Sequence, residues 1–406
     1  MNNIIYKREI TDEIERYLHT GDVIVLHGAR QVGKTSLLRY FEAELTAKGE
    51  KTYFIDLEDS RYVKILDAGV EEFLKLLEEE GIKAAGPGKK IYVFVDEIQY
   101  LANPSSFLKL IADHHKGLKL IISGSSSFAI KSKFKDSLVG RTVDFDIFNL
   151  SFREFLTFRN YTFEEGKAST AKKVDELRGL FKQYVLYGGY PKIVLTPEVG
   201  MKEKYLQQII DTYIKKDIRD LASVKDIEKF NKLLETLAAQ SGQLLNVTEL
   251  SNTTRIAKQT IEKYLFIMEN TYIIKLVRPF SGNIRSELFR LPKIFFYDTG
   301  IMQMLWLKGL QKELIGSVFE TGIFTELVKR HDKDSVYYWR TKDKKEIDFI
   351  LRIKTNVIPI EVKLSFEQFR PAAVNYFTEK YGLKKYMVVG LDGKPKNEFQ
   401  VYPWKL

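Results

Sequence analysis

The chain has 406 residues, 44% of them hydrophobic, which is enough for two or three domains with packed cores. Its 64 Lys and Arg residues exceed its 54 Asp and Glu residues, and the net charge of +10 is compatible with an anionic polymer as a partner. The absence of cysteine excludes disulfides and thiolate metal sites, and no apolar run approaches the roughly 20 residues of a membrane span. With no signal-peptide pattern at residues 1–10, we expect a cytoplasmic protein without a membrane partner.

The first predicted element is a strand, loop and helix around the segment G-A-R-Q-V-G-K-T. Residues 23–26 form a short apolar run typical of a buried strand, and residues 36–41 have the pattern of a helix start. Glycines let successive backbone N–H groups turn toward phosphates, and the helix N-terminus adds partial positive charge. The alternative is a chance Gly-Lys-Thr at a strand–helix turn, but the full spacing and both flanking elements favour nucleotide binding.

We therefore predict that ATP is bound by one continuous loop and the first residues of the helix that follows it. Lys34 is expected to reach the β- and γ-phosphates, and the Thr35 hydroxyl is expected to ligate Mg²⁺. The predicted nucleotide-binding residues are Gly28, Ala29, Arg30, Gln31, Val32, Gly33, Lys34, Thr35 and Ser36.

A second apolar run, residues 91–95, ends in two acidic residues, Asp96 and Glu97. Such a run is typical of a strand that is buried on both faces of a parallel sheet. A carboxylate at the carboxyl end of a central strand, beside the phosphate loop, can anchor Mg²⁺, so Asp96 is a predicted metal ligand. Glu97 is placed to orient or deprotonate the attacking water. The alternative is the polar start of a loop, but the paired acids favour hydrolysis.

Strand-like and helical stretches alternate along residues 1–150, which predicts an α/β domain with a parallel sheet. The strand-like runs are residues 23–26, 52–55, 91–95, 118–122 and 142–148, and the helical stretches include residues 36–48 and 70–80. From residue 151 to residue 235 the pattern changes to long helical stretches, and the segment G-G-Y-P at 188–191 predicts a turn among them.

Residues 236–300 have the outline of a winged helix-turn-helix. Two helical stretches, starting near residues 246 and 258, are followed directly by a β-like run at residues 272–277. Such modules place their second helix in the major groove of DNA. The side chains that this helix offers are Lys258, Gln259, Thr260 and Lys263. A helical spacer used for packing or protein contacts is the alternative, which the acidic Glu262 supports, so DNA contact by this element stays open.

The last predicted domain, residues 301–406, combines basic charge with a group of acidic residues. Residues 321–406 hold 17 Lys and Arg against 11 Asp and Glu. Two runs of alternating polar and apolar residues, 345–351 and 358–363, flank a turn at residues 354–356. This pattern predicts a β-hairpin.

Period-two alternation places Glu361 and Lys363 on one face of this hairpin, with Asp348 within cross-strand reach. Two carboxylates and a lysine at this spacing can hold Mg²⁺ and position a water for phosphodiester cleavage. Glu320, on the helix-like stretch 319–329, is a predicted third acid. We thus predict catalysis by Asp348, Glu361 and Lys363, and metal ligation by Glu320, Asp348 and Glu361. An ordinary ion pair on a solvated hairpin face is the alternative.

Several segments resemble ATPases of the AAA+-like STAND lineage in archaea and bacteria, namely G-A-R-Q-V-G-K-T, V-F-V-D-E-I-Q, L-I-I-S-G-S-S-S, V-G-R-T and L-S-F-R-E-F. The remainder, with G-G-Y-P, looks like the uncharacterised domain fused to such ATPases, and E-I-D-F with I-E-V-K resembles a PD-(D/E)xK nuclease fold. The resemblance implies an α/β P-loop ATPase domain, a helical and winged-helix region, and a C-terminal α/β nuclease-like domain. It also implies a polar sensor of the γ-phosphate in the segment Ser123-Gly124-Ser125, with Ser125 preferred to Ser123. Arg141 would contact the same phosphate, in cis or from a neighbouring copy in a homo-oligomer formed through the ATPase domain.

Two functions are compatible with these patterns. In the first, ATP hydrolysis is coupled to a C-terminal domain that acts on DNA as a Mg²⁺-dependent nuclease. In the second, the protein is an ATP-gated switch whose C-terminal domains bind DNA or a protein partner without cleavage. Metal-dependent DNA cleavage that Asp348→Ala abolishes would separate the two.

Overall fold

The computed structural model describes residues 5–83, 89–124, 138, 140–164, 170–217, 224–281 and 291–406. The chain divides into two compact units, Met1–Phe148 and Asn149–Leu406. Their junction lies close to the first predicted boundary at residue 150, whereas the boundaries at residues 235 and 300 stay predictions. No helix in the described ranges is both long and apolar enough to cross a membrane.

The first unit is built around a five-stranded sheet. Its strand order is β2-β3-β4-β1-β5, and every neighbouring pair is parallel, which confirms the predicted α/β class and parallel sheet. The strands are β1 (Val23–His27), β2 (Lys51–Asp56), β3 (Ile91–Asp96), β4 (Leu118–Gly124) and β5 (Thr142–Asp146). The helices are α1 (Thr11–Glu15), α2 (Lys34–Ala47), α3 (Ser60–Ala68), α4 (Val70–Glu79) and α5 (Pro104–His114).

The register of this sheet places two loops at the same edge. All residues of β1 and β3 are buried, as their continuous apolar runs predict for strands covered on both faces. Val25 of β1 and Val95 of β3 both lie beside Ile122 of β4. The segments that follow β1 and β3 therefore emerge together at the carboxyl edge of the sheet, where open α/β sheets bind their ligands.

The second unit contains a helical region followed by a two-stranded and a five-stranded sheet. Its helices are α6 (Phe152–Phe158), α7 (Ala171–Tyr187), α8 (Pro191–Leu195), α9 (Val199–Ile209), α10 (Ile227–Ala239), α11 (Val247–Thr254), α12 (Lys258–Asn270), α13 (Thr299–Leu307), α14 (Gly316–Arg330) and α15 (Ala372–Tyr381), with a π-helix at Ile210–Asp217. Its strands are β6 (Ile274–Val277), β7 (Lys293–Phe296), β8 (Val336–Arg340), β9 (Glu346–Ile353), β10 (Asn356–Ser365), β11 (Met387–Asp392) and β12 (Gln400–Val401).

The predicted G-G-Y-P turn lies between α7 and α8 and is held by a buried aspartate. A Cβ on Gly188, whose φ is +82°, would lie 2.4 Å from Oδ1 of Asp298, so a side chain would clash there. The backbone N–H of Gly189 donates to Oδ2 of the same carboxylate at 2.8 Å. Pro191 then starts α8, where its missing N–H costs nothing. The motif is thus explained by close packing within the second unit.

The predicted hairpin is present. Strands β9 and β10 pair in antiparallel fashion from Asn356 opposite Ile353 to Ile360 opposite Phe349, around a turn at Lys354 and Thr355. In the five-stranded sheet, of order β12-β11-β10-β9-β8, both α14 and α15 contact β10. The mixed sheet therefore carries helices next to the strand that contributes Glu361 and Lys363.

The predicted alternation of side chains between the two faces of the sheet is interrupted at one point in β9. The pairing of β9 with β8 shifts between Tyr337 opposite Ile350 and Trp339 opposite Ile347, so β9 holds one extra residue there. As a result Ile347 and Ile350 belong to the same apolar cluster, whereas the ring of Phe349 lies against other aromatic side chains. A bulge of this kind redirects side chains, and Asp348 lies within it.

Candidate functional site

The phosphate loop starts where β1 ends, and its first glycine has no space for a side chain. A Cβ on Gly28 would lie 2.2 Å from the carbonyl oxygen of Ile147, the residue after β5. Any larger residue would displace the loop from the sheet edge. The other loop residues differ in exposure: Ala29 and Val32 are buried, Arg30 and Gly33 are half-buried, and Gln31, Thr35 and Ser36 are exposed.

The ammonium group of Lys34 lies inside the loop. Its Nζ donates to the carbonyl oxygens of Gly28 at 3.0 Å and Ala29 at 2.8 Å. Burial lowers the pKa of Lys34 to about 8, although the carboxylates of Glu97 and Asp96 act in the opposite direction. A buried ammonium held only by neutral carbonyl groups has much to gain from phosphate oxygens, because charge-assisted hydrogen bonds are stronger. This is the arrangement expected of a phosphate-binding lysine.

Asp96 brings together groups from the phosphate loop, β3 and β4. Its Oδ2 accepts from the Thr35 hydroxyl at 2.5 Å, and its Oδ1 accepts from the hydroxyl of Ser123. The backbone N–H of Glu97 also donates to Oδ1, at 3.1 Å. The two predicted Mg²⁺ ligands of this unit, Thr35 and Asp96, are therefore in direct contact, although they are far apart in the sequence.

Glu97 has a backbone conformation that is unfavourable for a non-glycine residue, with φ +57° and ψ +47°. Such strain costs of order 1–3 kcal/mol and tends to occur at functional sites. Its Oε2 accepts from Nε2 of Gln99, and its carboxylate raises the pKa of Lys34 more than that of Asp96 does. The second acid is thus held near the lysine that is expected to contact the γ-phosphate.

Two further contacts in the first unit were not predicted. Arg8 donates from Nη1 to the carbonyl oxygen of Val32 and from Nη2 to that of Phe148, both at 2.9 Å. His27, the last residue of β1, lies 2.6 Å from Asp144 of β5 through its Nε2. Both contacts fix the ends of the phosphate loop. Neither has a local sequence signal, because the partners are distant along the chain.

Of the two residues predicted to contact the γ-phosphate, the structure describes only Arg141. Ser125 lies outside the described residues. Arg141 precedes β5 and forms an ion pair with Asp113, with Nε and Oδ1 2.6 Å apart. Because Val23 lies opposite Thr142, Arg141 is at the amino edge of the sheet, roughly 16 Å from the phosphate loop at about 3.3 Å per strand residue. This position is distant from the phosphate loop of the same chain, and the role of Arg141 toward the γ-phosphate, in cis or from a neighbouring copy, stays a prediction.

The candidate DNA-contacting helix has the predicted amphipathic form. Ile261, Leu265 and Met268 are buried, whereas Lys258, Gln259 and Lys263 are exposed and Thr260 is half-buried. Helix α11 precedes this helix α12 across a tight turn, and strands β6 and β7 form an antiparallel pair after it. The backbone around Gln243 pairs with Ile294 of β7, which adds a third extended segment.

The predicted residues of the hairpin converge on one ammonium group. Nζ of Lys363 lies 3.0 Å from Oδ2 of Asp348 and 2.7 Å from Oε2 of Glu361. Oδ2 of Asp348 also accepts a hydrogen bond from the backbone N–H of Val362 at 2.7 Å. A side-chain carboxylate is thus the acceptor where a backbone carbonyl group would be expected between paired strands. Glu361 is only 5% exposed. The group lies in a partly buried position, unlike the solvated face of the alternative interpretation.

Lys293 and Glu346 extend this group in a way that was not predicted. Nζ of Lys293, on β7, lies 2.5 Å from Oε1 of Glu346 and 3.5 Å from Oε1 of Glu320. Glu320, on α14, therefore approaches as predicted, and its Oε1 is buried without a hydrogen-bond partner. We call Lys293, Glu320, Glu346, Asp348, Glu361 and Lys363 the charged cluster. Lys293 and Glu346 lack a motif, since their pairing depends on the fold.

Two glutamates of the charged cluster, Glu361 and Glu320, have raised pKa values. Burial, together with the nearby Asp348 carboxylate, raises the pKa of Glu361 to about 8 and that of Glu320 to about 7, although the lysines oppose both shifts. Burial acts to lower the pKa of Lys363, but the opposite effect of the Asp348 and Glu361 carboxylates is larger. The net result is a raised pKa. The cost of burying Glu361 and Glu320 next to Asp348 is therefore larger than the compensation that the neighbouring lysines give them.

These carboxylates are not arranged as a preformed metal site. Among the described residues, no group of three or more His, Asp or Glu side chains is placed to hold a metal ion. Lys363 instead bridges Asp348 and Glu361. Even so, the buried carboxylate charge and the Oε1 of Glu320, which accepts no hydrogen bond, suit a hard divalent cation, which prefers oxygen ligands.

Comparison with known families divides the chain into three parts. Residues 20–156 match the family described as an AAA domain, so the chain carries an AAA-type P-loop domain. Residues 178–313 match a domain of unknown function, DUF8612, and residues 315–405 match another, DUF4143. The phosphate loop and the Asp96-Glu97 pair lie in the first match, and the charged cluster lies in the other two.

Related proteins match along most of their length. An uncharacterized protein of Haemophilus influenzae is 27% identical over 396 residues, covering 95% of this chain and 94% of its own. The uncharacterized protein MJ1544 of Methanocaldococcus jannaschii is also 27% identical, covering 84% and 75%. Among solved structures, AMPPCP-bound DnaA of Aquifex aeolicus is 16% identical with a TM-score of 0.30, covering 66% and 90%. At this TM-score the likeness has no bearing on function.

Proposed function

We propose that this protein binds and hydrolyses ATP, and that its C-terminal unit acts on DNA. The observation that carries the ATPase proposal is the contact between Thr35 and Asp96, at 2.5 Å, with Glu97 directly beside it. A P-loop hydroxyl and a strand-end carboxylate are the protein groups that hold Mg²⁺ in P-loop enzymes. Thr35 and Asp96 would hold Mg²⁺, which would neutralise the negative charge that develops during hydrolysis.

The residues of the first unit then have separate tasks. Lys34 exchanges its carbonyl partners for the β- and γ-phosphates, and the backbone of the loop encloses the phosphates. Asp96 and Thr35 hold the metal. Glu97 accepts a proton from the attacking water or orients it, and the hydrogen bond from Gln99 keeps its carboxylate in place.

DNA binding is supported by the shape and charge of the second unit. Helices α11 and α12 with the β6–β7 pair have the order of a winged helix, and the exposed start of α12 carries Lys258 and Gln259. Lysine contacts to phosphates supply sequence-independent affinity, and an amide side chain can bind a base edge. We propose that α12 enters the major groove.

Within the second unit, the charged cluster would be the site of DNA cleavage. Asp348, Glu361 and Lys363 come together from two strands, and Glu320 approaches from α14. Asp348, Glu361 and Glu320 would hold a divalent cation, which would activate a water for attack on a phosphodiester. Lys363 would then stabilise the negative charge of the transition state.

The test is metal-dependent cleavage of single- and double-stranded DNA by the full chain, with and without ATP. Asp348→Asn removes the carboxylate charge at nearly constant shape and should abolish cleavage. Asp343→Asn, on the exposed β8–β9 turn, is the matched control and should cleave like the wild type. Cleavage that persists in Asp348→Asn would show that the charged cluster is not the nuclease site.

A second function is favoured by one observation, the burial of Glu361 beneath its salt bridge to Lys363. In that case the charged cluster is a structural ion-pair network, and ATP gates binding of DNA or a protein partner. The cleavage assay would then show no product in Mg²⁺ or Mn²⁺, while fluorescence anisotropy with labelled DNA would show binding that depends on nucleotide.

A further inference from the structure

A cavity in the helical region of the second unit is lined by two cations. Its volume is about 190 Å³, somewhat larger than the roughly 150 Å³ of a cavity that binds benzene. The lining residues, all from the second unit, are Phe155, Arg159, Gln183, Tyr187, Gly188, Val194, Pro197, Val199 and Lys202. None of these residues belongs to the nucleotide site, to α12 or to the charged cluster.

The cavity has a floor with one cation and two apolar side chains, and polar side chains at its mouth. Phe155, Val194 and Lys202 are buried, so they form the floor, whereas Arg159 and Gln183 are exposed and border the opening. A ligand that enters would bring its body against aromatic and aliphatic side chains. Its polar end would meet positive charge at the floor and at the mouth.

The two cations lack a carboxylate partner in the part of the chain that the structure describes. Nζ of Lys202 donates to the carbonyl oxygen of Ile193 and lies 5.3 Å from the ring centre of Tyr187. Nη1 of Arg159 donates to the carbonyl oxygen of Val194 at 3.4 Å. Each side chain therefore has donors left over, since an ammonium has three N–H groups and a guanidinium has five.

Capping of α8 explains only part of this arrangement. Ile193 and Val194 are near the C-terminus of that helix, where a cation satisfies free carbonyl groups and the helix dipole. One cation would suffice for a five-residue helix. A second cation next to the first is repulsive, and burial together with Arg159 lowers the pKa of Lys202 to about 8. An anion placed against both groups would remove this cost.

We propose that this cavity binds a small organic anion, a carboxylate or a phosphate ester with an apolar body about the size of one aromatic ring. The planar fork of Arg159 suits bidentate contact with a carboxylate or phosphate. Lys202 adds a buried point charge at the floor. Phe155, Val194 and Pro197 provide the apolar surface for the body of the ligand.

The experiment is calorimetric titration of the full chain at fixed ionic strength with benzoate, phenyl phosphate and neutral benzamide. Benzoate or phenyl phosphate should bind at least tenfold more tightly than benzamide, which has the same ring without the charge. Lys202→Met and Arg159→Gln should each weaken binding of the anion at least tenfold. Lys204→Met, an exposed lysine on the same helix α9, should leave it unchanged.

Circular dichroism establishes that each variant is folded. Should Lys202→Met unfold, Arg159→Gln tests the same cavity from its exposed mouth. The proposal is overturned if neither anion binds, if benzamide binds equally well, or if folded variants at both positions bind as the wild type does.

Discussion

At the scale of single residues, the nucleotide site combines a buried cation with a strained acid. Lys34 is surrounded by carbonyl groups, and Glu97 has a left-handed backbone conformation beside the end of β3. Both features cost stability in the nucleotide-free protein. Because nucleotide binding relieves the first and hydrolysis uses the second, the two residues should fail in different ways when they are substituted.

Glu97→Gln should keep nucleotide binding and lower the ATP turnover rate by on the order of 10²–10⁴, the loss expected when a general base is removed. Lys34→Ala should instead lose tight ATP binding, since the β- and γ-phosphates lose the lysine of the loop. Binding is measured with a fluorescent ATP analogue and turnover by phosphate release. Hydrolysis by Glu97→Gln at the wild-type rate would show that the role assigned to Glu97 is wrong.

The pKa of Lys34 predicts how ATP affinity depends on pH. Burial lowers the pKa of Lys34 in the folded, nucleotide-free protein to about 8, and binding of phosphates requires the protonated form. Affinity for a non-hydrolysable ATP analogue should therefore be constant below pH 7 and fall about tenfold between pH 7 and pH 9, since one pKa unit corresponds to about 1.4 kcal/mol. Titration at each pH measures this.

The stability of the nucleotide-free protein should change in the opposite direction. Between pH 8 and pH 10.5 the unfolded chain holds more protons on this lysine than the folded chain, so this group's contribution to stability rises with pH. Lys34→Arg, which stays charged throughout, is the control for both curves. An affinity that is flat up to pH 9 in the wild type would rule out a titrating Lys34.

Arg141 is expected to have a structural role in the isolated chain. Its ion pair with Asp113 is about one-third exposed on both sides, and such pairs contribute about 0–1 kcal/mol. Arg141→Gln should therefore lower stability slightly and leave ATP turnover within about twofold, as judged by denaturant unfolding and phosphate release. A loss of turnover with intact nucleotide binding and a concentration-dependent rate would support the contact from a neighbouring copy.

At the scale of elements, helix α12 carries the exposed lysines Lys258 and Lys263 in its first two turns. Helix α12 is held by its buried face, with Ile261, Leu265 and Met268 in the core, and its opposite face is exposed to solvent. The exposed Phe266 and Glu262 lie on the same helix, and the acid is the feature that argues against DNA. The salt dependence of binding distinguishes phosphate contact from protein contact.

Neutralising Lys258 and Lys263 together should make DNA affinity less dependent on salt. Each lost phosphate contact reduces the slope of log K against log salt by about 0.9, so two contacts reduce it by about 1.8. Fluorescence anisotropy with duplex DNA at several salt concentrations measures the slope. Lys229→Met with Lys232→Met, exposed on α10, is the matched control. An unchanged slope would move the binding surface away from α12.

At the scale of the whole molecule, the two sites belong to different units. The described hydrogen bonds of Lys34, Thr35 and Asp96 lie within Met1–Phe148, and the ion pairs of the charged cluster lie within Asn149–Leu406. Substitutions at sites without shared partners usually act independently.

Asp348→Asn should accordingly bind ATP within about twofold of the wild type, since independent sites differ by no more than about 0.5 kcal/mol in such comparisons. Lys34→Ala should likewise bind DNA normally in the absence of nucleotide. Titrations with the ATP analogue and with labelled DNA measure both. Loss of ATP binding in a folded Asp348→Asn variant would contradict the separation of the two sites.

Much of the nucleotide site could be predicted because its signals are local. The glycine spacing, the apolar runs and the acids at a strand end lie within single segments, and the strand–loop–helix order brings them to one sheet edge. The turn at Lys354 and Thr355 is equally local and was predicted with its hairpin. By contrast, Arg141 was assigned from a four-residue resemblance, and the sheet register places it at the other edge.

The sequence by itself determined the phosphate loop, the parallel sheet, the amphipathic α12 and the hairpin with its acids, because each depends on the periodicity or spacing of neighbouring residues. Only the tertiary structure decided which distant groups meet. In the tertiary structure Lys293 contacts Glu346 and Glu320, and the bulge of β9 lies at Asp348. Arg8 binds the phosphate loop, and Arg159 and Lys202 line the same cavity. The physical reason is that strand register and helix packing are set by the burial of many side chains together, and no short segment records them.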